Sequence, residues 1–278
     1  MHVGMLTARM RGKPFDEVVK FAGENGIRAM EVDSRPGGHL DPKAVLADGG
    51  AAVKRLLERH KVGISALAYF ANMIEPDPKK REEAIAGMKQ CIDAAKVLGV
   101  GVITTHAGFP MPGKDKYKTI EQDCPGVFKP IAQYAGERGV KLANEIWFAT
   151  NLQNLEHFKL FFQVIPDPAI GLNYDPSHLY WQGIDLILGV DEFGKRIYHT
   201  HGKDCEVKQH VLRRVGSQDL RGWWRYVIPG FGNIAWGEYI GALRRVGYDG
   251  VISIEHEDAA VGAELGFIKG KQYLELFM

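Results

Sequence analysis

The chain predicts a single-domain α/β protein, a (β/α)8 TIM barrel spanning residues 1–278. Three observations carry that expectation. Eight short strand-like runs alternate with eight helical patterns from end to end. The length of 278 residues suits one such barrel, which takes ~250 residues. Four of the runs also end on an ionisable side chain, at Glu145, Asp175, His201 and Glu255. Parallel barrels keep their chemistry at the C-terminal ends of strands.

Taken in order, Val3–Thr7 is the first strand and Phe15–Asn25 the helix behind it. Ile27–Val32 follows, and then Pro42–His60 reads as one helix, with Asp41 as N-cap and proline at the first helical position. Gly63–Tyr69 is the third strand, and Pro78–Leu98 repeats the Asp-Pro start at Asp77 and stops at Gly99. Gly101–His106, Val140–Glu145 and Ala169–Asp175 are the next strands, separated by helices over Cys124–Arg138 and Leu152–Val164. A helix over Leu179–Leu188 leads to the strand Ile197–His201. Trp236–Val246 precedes the eighth strand, Val251–Glu255, and a helix near Ala260–Leu276 closes the chain. No Pro-, Gly- or Ser-rich linker divides it.

The connection over 203–233 is too long for a turn. Connections beyond ~12–15 residues without their own secondary structure are usually functional, so it is expected to form a lid over the C-terminal face. The stretches Asp33–Asp41, Ala71–Asp77 and Ala107–Lys118 share that rim.

Composition excludes some classes. The apolar fraction of 45% and charged fraction of 25% are those of a soluble globular protein. Lys+Arg 35 against Asp+Glu 34 leaves a net charge of +1, with no electrostatic reason to expect nucleic acid or a membrane surface. Cys91, Cys124 and Cys205 form no CxxC pair, which argues against a thiolate zinc site and a disulfide framework. No apolar run is long enough to span a bilayer and no secretory leader is visible, so a cytoplasmic location with reduced thiols is expected.

Strand alternation sorts side chains by face. His199, His201 and Lys203 share one face, as do Ser253, Glu255 and Glu257, Thr104 and His106, and Gly171, Asn173 and Asp175. Polar residues at the inward-facing strand ends mean an open polar pocket. Glu145, Asp175 and Glu255, with Glu31 and Glu257 near them, would crowd it with negative charge. Two carboxylates ~4 Å apart repel by about 4 kcal/mol at an effective dielectric of 20. Without a cation at least one carboxyl would therefore stay protonated. One imidazole and three carboxylates suit one divalent ion, Mn²⁺, Mg²⁺ or Co²⁺, better than Zn²⁺.

Five motifs then appear in a familiar order: Asn144-Glu145, Asp175-Pro-Ser-His178, His199-Thr-His201-Gly-Lys-Asp204, Pro229-Gly-Phe-Gly232 and Ser253-Ile-Glu255-His-Glu-Asp258. Over nearly its whole length the chain resembles the xylose-isomerase-like TIM barrels. More narrowly it is similar to the sugar phosphate isomerase/epimerase branch, which includes ketose 3-epimerases, inosose isomerases and inosose dehydratases. The resemblance implies metal ligands at Glu145, Asp175, His201 and Glu255, and a substrate contact at His178. The epimerases carry an arginine about six residues after the histidine ligand; here the residue is Val207, and Lys203-Asp204 looks like the inosose and keto-sugar branch.

The expected activity is proton abstraction next to the carbonyl of a small sugar, keto-sugar or cyclitol, through an enediolate. Glu145 and Glu255, arriving from opposite sides, would be the acid–base pair, with His178 and Lys203 as further catalytic groups. His106, Glu31, Trp181, Arg225 and Glu257 are candidate substrate contacts. The same enediolate would expel a β leaving group, making a keto-inositol dehydratase or 3-keto-glycoside eliminase the alternative. An abasic-site endonuclease would need more histidine ligands, and Tyr69-Phe70-Ala71 offers none. A sugar-binding barrel without catalysis is the third class.

Blander uses compete at each position. Asp175 can serve as the N-cap before Pro176, alone or as a ligand too, and Lys203 can simply pair with Asp204. His199 reads as structural, one layer below His201. Trp223-Trp224 serves either sugar stacking or a subunit contact, which leaves a homo-oligomer open.

Overall fold

The structure, a computed structural model, describes residues 1–278. Ten strands form: β1 His2–Leu6, β2 Ala29–Asp33, β3 Gly63–Ala68, β4 Val102–His106, β5 Lys141–Glu145, β6 Ile170–Tyr174, β7 Ile197–Gly202, β8 Asp204–Val207, β9 Trp224–Val227 and β10 Val251–Ile254. Eight of them close a parallel barrel in the order β1-β2-β3-β4-β5-β6-β7-β10, with β10 returning to β1. All eight expected strands are present, and the chain is the expected TIM barrel.

Alternation works as the sequence implies. On β10, Ile252 and Ile254 are buried in the layer between strands and helices. Ser253 faces the lumen, and its register partner on β7 is His201. On β4 and β5, His106 is level with Glu145, and Glu145 is level with Asn173 on β6. The ionisable groups therefore lie in one layer at one end of the barrel.

Local signals also hold. Asp41 accepts from Lys43 N at 2.9 Å, and Asp77 from Lys79 N at 2.9 Å and Lys80 N at 3.3 Å, so both Asp-Pro starts are capped. Gly99 ends Pro78–Leu98 in the left-handed conformation at φ 74°.

Four expectations need correction. The single helix over Pro42–His60 is two, Pro42–Asp48 and Ala51–His60. Gly49 and Gly50 stand consecutively at φ 65° and 71°, a left-handed pair that breaks the helix. The helix over Leu179–Leu188 is also two, Pro176–Tyr180 and Leu186–Phe193, because Asp175 and Asp185 each cap a separate start. The 203–233 stretch is no plain loop: β8 and β9 pair antiparallel, with the helix Gln209–Val215 between them. A further short helix, Lys116–Gln122, occupies part of the rim expected to be loop, capped by Asp115 at Lys118 N, 2.8 Å.

Candidate metal centre

Asp175 ends β6 and starts the next helix. Its Oδ1 accepts from Ser177 N at 2.8 Å and Ser177 Oγ at 2.6 Å, which leaves Oδ2 pointing into the lumen. His201 is oriented from behind: its Nε2–H donates to Glu31 Oε2 at 3.0 Å, and Thr104 Oγ1 donates to Glu31 Oε1 at 2.5 Å. That fixes the tautomer and presents the Nδ1 lone pair to the same point. Nδ1 lies 3.1 Å from Glu255 Oε2, 3.4 Å from Glu145 Oε1 and 3.6 Å from Asp175 Oδ2. Ligands held about 2.1 Å from one ion are about 3.0 Å apart at right angles and about 3.4 Å apart at tetrahedral angles. The edges match.

Two of these atoms, Asp175 Oδ2 and His201 Nδ1, are buried without a hydrogen-bond partner. A buried carboxylate oxygen and a buried imidazole lone pair, both unsatisfied and 3.6 Å apart, are what a cation would complete. The residues fit a divalent ion.

Electrostatics point the same way. Glu145, Asp175, Glu255 and Glu257 are faced by one lysine, Lys203, whose Nζ lies 2.6 Å from Glu255 Oε2, 3.1 Å from Asp175 Oδ2 and 3.3 Å from Glu257 Oε2. Burial would lower the Lys203 pKa, but the surrounding carboxylates raise it well above the ordinary value. Burial would likewise lower His201, yet Glu31 and Glu255 raise it well above the usual imidazole range. Burial alone would raise Glu31, but the charges of His201 and His199 hold it down to about 2. Packed between Glu31 and the ligand carboxylates, the imidazole is thus held towards its charged form, and against the opposing charge of Lys203 the Glu257 carboxyl is also raised, chiefly by Glu255.

The site opens into a cavity of about 740 Å³. Glu145, Glu255, Lys203, His106 and Glu257, at or just beyond strand ends, line it, and so does His178 from the helix Pro176–Tyr180. His178 lies between catalytic candidates, with Nε2 3.4 Å from Glu145 Oε1 and 3.2 Å from Lys203 Nζ. His106 accepts from Gly108 N at 3.0 Å through Nδ1, so its Nε2 carries the proton. Burial holds it neutral, with a pKa down to about 4.

Three candidate substrate contacts lie elsewhere. Glu31 is fully buried beneath His201 and does not reach the cavity. Trp181 is a backing residue, stacked on cavity-lining Trp224 with ring centroids 4.4 Å apart and planes 2° apart. Arg225 points outward, paired with Glu206 and Asp258, because on β9 it alternates with Trp224 and Tyr226. Lys203 and Asp204 do not pair. Asp204 instead accepts from Cys205 N, Gly230 N, Gly232 N, Ile234 N and Trp236 Nε1, at 2.8–3.2 Å. Glu145 ends β5 and Glu255 follows β10, strands that flank β6 and β7, so the two carboxylates approach from two sides of the cluster but not from opposite walls.

Sequence reasoning missed Tyr226, Trp147 and Phe148, all lining the cavity. Tyr226 Oη and His178 Nδ1 share a hydrogen bond of 2.6 Å. Trp147-Phe148 follows Glu145 by two residues, a signal that was available; Tyr226 depends on the β8–β9 pairing, which was not. His199 is buried, hydrogen-bonded to Asn173 Oδ1 at 3.1 Å, and with Glu31 and His201 forms a second buried group with ligand-type atoms close together. Trp223 is buried and donates to the Asp219 carbonyl at 2.6 Å.

Comparison with known proteins agrees with this architecture. The chain is 28% identical over 302 residues to the uncharacterised protein YfiH of Bacillus subtilis, covering 96% of each chain. It is 24% identical over 285 residues to an inosose dehydratase of Clostridium botulinum, covering 94% of this chain and 89% of the relative. Among solved structures, the IolI protein with a binding zinc atom superposes with a TM-score of 0.78 at 19% identity, covering 100% of this chain and 96% of the other. No helix is long and apolar enough to cross a membrane. Residues 19–275 match the model of one family, and the chain belongs to it: the xylose isomerase-like TIM barrels.

Proposed function

We propose that the protein is an enzyme that removes a proton next to the carbonyl of a small keto-sugar or keto-cyclitol, isomerising or epimerising it. The observation that carries this reading is the pair Glu145 and Glu255, cavity-lining carboxylates on strands that flank a centre fit for a divalent ion. Glu145, Asp175, His201 and Glu255 would hold such an ion, and it would supply Lewis acidity that acidifies the C–H beside the carbonyl. Mn²⁺, Mg²⁺ and Co²⁺ suit the donor set, and the zinc in the IolI structure adds Zn²⁺ to the ions worth testing.

The chain's own groups supply the proton transfers. One of Glu145 and Glu255 takes the proton and the other returns it, to the same carbon or its neighbour. Lys203, kept charged, donates to Glu255 Oε2 at 2.6 Å and holds that side chain in place. His106 Nε2–H and Tyr226 Oη are positioned to bind substrate oxygens. Phe109, Trp147, Phe148 and Trp224 wall the cavity and limit water near the enediolate.

A second reading, elimination of water, has its own support. Lys203, His178 and Tyr226 form a hydrogen-bonded line through contacts of 3.2 and 2.6 Å. That line can deliver a proton to a departing oxygen. The inosose dehydratase relative fits this outcome.

The test is incubation of metal-saturated protein in D₂O with a panel of ketoses and inososes, followed by NMR. The reading expects deuterium at one carbon beside the carbonyl, in a rearranged or a dehydrated product, and loss of both after chelation. Absence of exchange and of conversion across the panel with each of the four metals refutes it.

A further inference from the structure

The cavity has two unlike walls. The ligand carboxylates, Lys203, His178 and Glu257 belong to strands β5 to β7 and β10 and the segments just after them. The wall from β1 to β3 carries Arg11, Asp33, Arg35, Phe70 and Asn72 instead. Asp33 ends β2 and its side chain is 1% exposed. It holds two guanidinium groups: Arg11 donates to Oδ2 through Nε at 2.8 Å and also through Nη2, and Arg35 donates to Oδ1 through Nε at 3.1 Å.

Two cations on one carboxylate leave a net positive charge. They also leave donors. Arg35 uses only Nε, and neither of its terminal nitrogens has a protein partner; Arg11 Nη1 has none either. Arg35 is further steadied by Phe70, its guanidinium carbon 5.8 Å from the ring centroid. The result is a pair of planar forks, tethered from behind by a buried acid, on the rim of a cavity whose other wall is acidic. Glu75 accepts from Asn72 Nδ2 at 3.1 Å and lies outside the lining, so it does not fill these donors.

We propose that Arg11 and Arg35 form an oxyanion subsite, and that the substrate is a sugar or cyclitol carrying a carboxylate or a phosphate at the end remote from the ion site. This rests on the proposed function for the identity of the reacting end. The forks alone specify the anion: guanidinium pairs such groups bidentately. The acidic wall sets the orientation, since an anion there would face Glu255 and Glu257. A neutral sugar would leave the unpaired guanidinium edges to water.

The test is calorimetry on metal-saturated protein at low ionic strength, where partly exposed arginines are least screened. The probes are myo-inositol against myo-inositol 1-phosphate, and D-glucose against D-glucuronate. At least one anion is expected to bind about tenfold or more tightly than its neutral counterpart, and the stronger of the two names the group. Arg35→Met and Arg11→Met should each erase most of that preference with metal stoichiometry unchanged, and Arg35→Lys should keep part of it. If a methionine variant melts early, the folded Arg35→Lys variant decides, because loss of the fork alone should weaken the anion several-fold. Equal binding of charged and neutral probes overturns the proposal, as does no measurable anion binding. A preference that survives both methionine variants overturns it too, since the anion would then be on the ion or Lys203. Arg-dependent anion binding with no deuterium exchange for any substrate would sink the proposed function and leave the subsite standing.

Discussion

Asp175 and Asp204 are both buried, at 0% and 1% exposure, and the protein treats them in opposite ways. Asp204 receives five N–H donors, four from backbone and one from Trp236. A Cβ at Gly232 would lie 2.2 Å from its Oδ1, so the cradle is closed to anything larger than hydrogen. Asp175 has one oxygen capped by Ser177 and the other left without a hydrogen bond. The first carboxylate is complete within the fold and ties the β8–β9 hairpin to the barrel. The second faces the Lys203 ammonium at 3.1 Å but has no hydrogen bond within the chain, which leaves that oxygen open to a cation. Buried charge is a mark of function only where the protein has not itself satisfied it.

The largest effect that sharpens this contrast should come from the chemistry beside Asp175. Glu255→Gln keeps the shape of the side chain but cannot take a proton, and turnover should fall by roughly 10²–10⁴-fold. The fold should persist and metal binding should weaken moderately, as read by kcat and metal analysis of one preparation. Wild-type turnover in this variant would remove Glu255 from the proton transfer.

Next come the aspartates themselves. Asp175→Asn should lower metal affinity by roughly two orders of magnitude, as a first ligand lost at a site where even supporting partners are worth 10–100-fold. Its melting temperature without metal should move little. Asp204→Ala should do the reverse, costing on the order of 3 kcal/mol in urea unfolding by orphaning buried donors, with one metal per chain still bound at saturation. If both variants lose metal and stability alike, the distinction between them fails.

Lys203 offers a subtler test. Its ammonium lies against Asp175 and Glu255, where an ion would also compete. Lys203→Met should therefore bind metal at least as tightly as the wild type while kcat/KM falls by roughly tenfold. Weaker metal binding in this variant would mean that Lys203 supports the ligands and does not oppose them.

The smallest effect tests a buried group far from the ion. Burial holds His157 neutral with a pKa down to about 4, from an ordinary 6.5, helped by the charge of Lys116. A depressed histidine contributes stability that is full above the unfolded value and lost as pH falls through 6.5 towards 4. His199 and His106, also held near 4 by burial, add to the same window. In metal-saturated protein, urea midpoints should fall across that range, and His157→Phe should flatten the slope by roughly 1–3 kcal/mol. An unchanged slope would mean that His157 titrates equally in both states.

Some of this was legible before any coordinates. Asp41-Pro42 and Asp77-Pro78 announced helix starts through local hydrogen bonding, and Gly99 announced a stop. The Gly49-Gly50 break is equally local, a glycine pair at positive φ inside the span that reads as one helix. His201 and Glu255 fell on lumen-facing positions because strand alternation has a period of two, whatever the neighbours do. Glu31 stands as a candidate substrate contact in the sequence; only the closure of the barrel, which sets it beneath His201, makes it the group that orients that imidazole.

The roof and the far wall show where such reading stops. Between residues 203 and 233 no period identifies a strand, because β8 and β9 are short and their pairing is non-local. That pairing turns Trp224 and Tyr226 inward and Arg225 outward. Arg11, Asp33 and Arg35 are unremarkable in one dimension, and Arg11 joins the local Asp33–Arg35 pair only because β1 and β2 are neighbours. By itself the sequence determined the barrel, the helix starts at Asp41 and Asp77 and the four ionisable strand-end positions, all of which depend on spacing along the chain. The tertiary structure alone decided which buried charges are satisfied and which are left open, because that depends on donors brought together from distant segments.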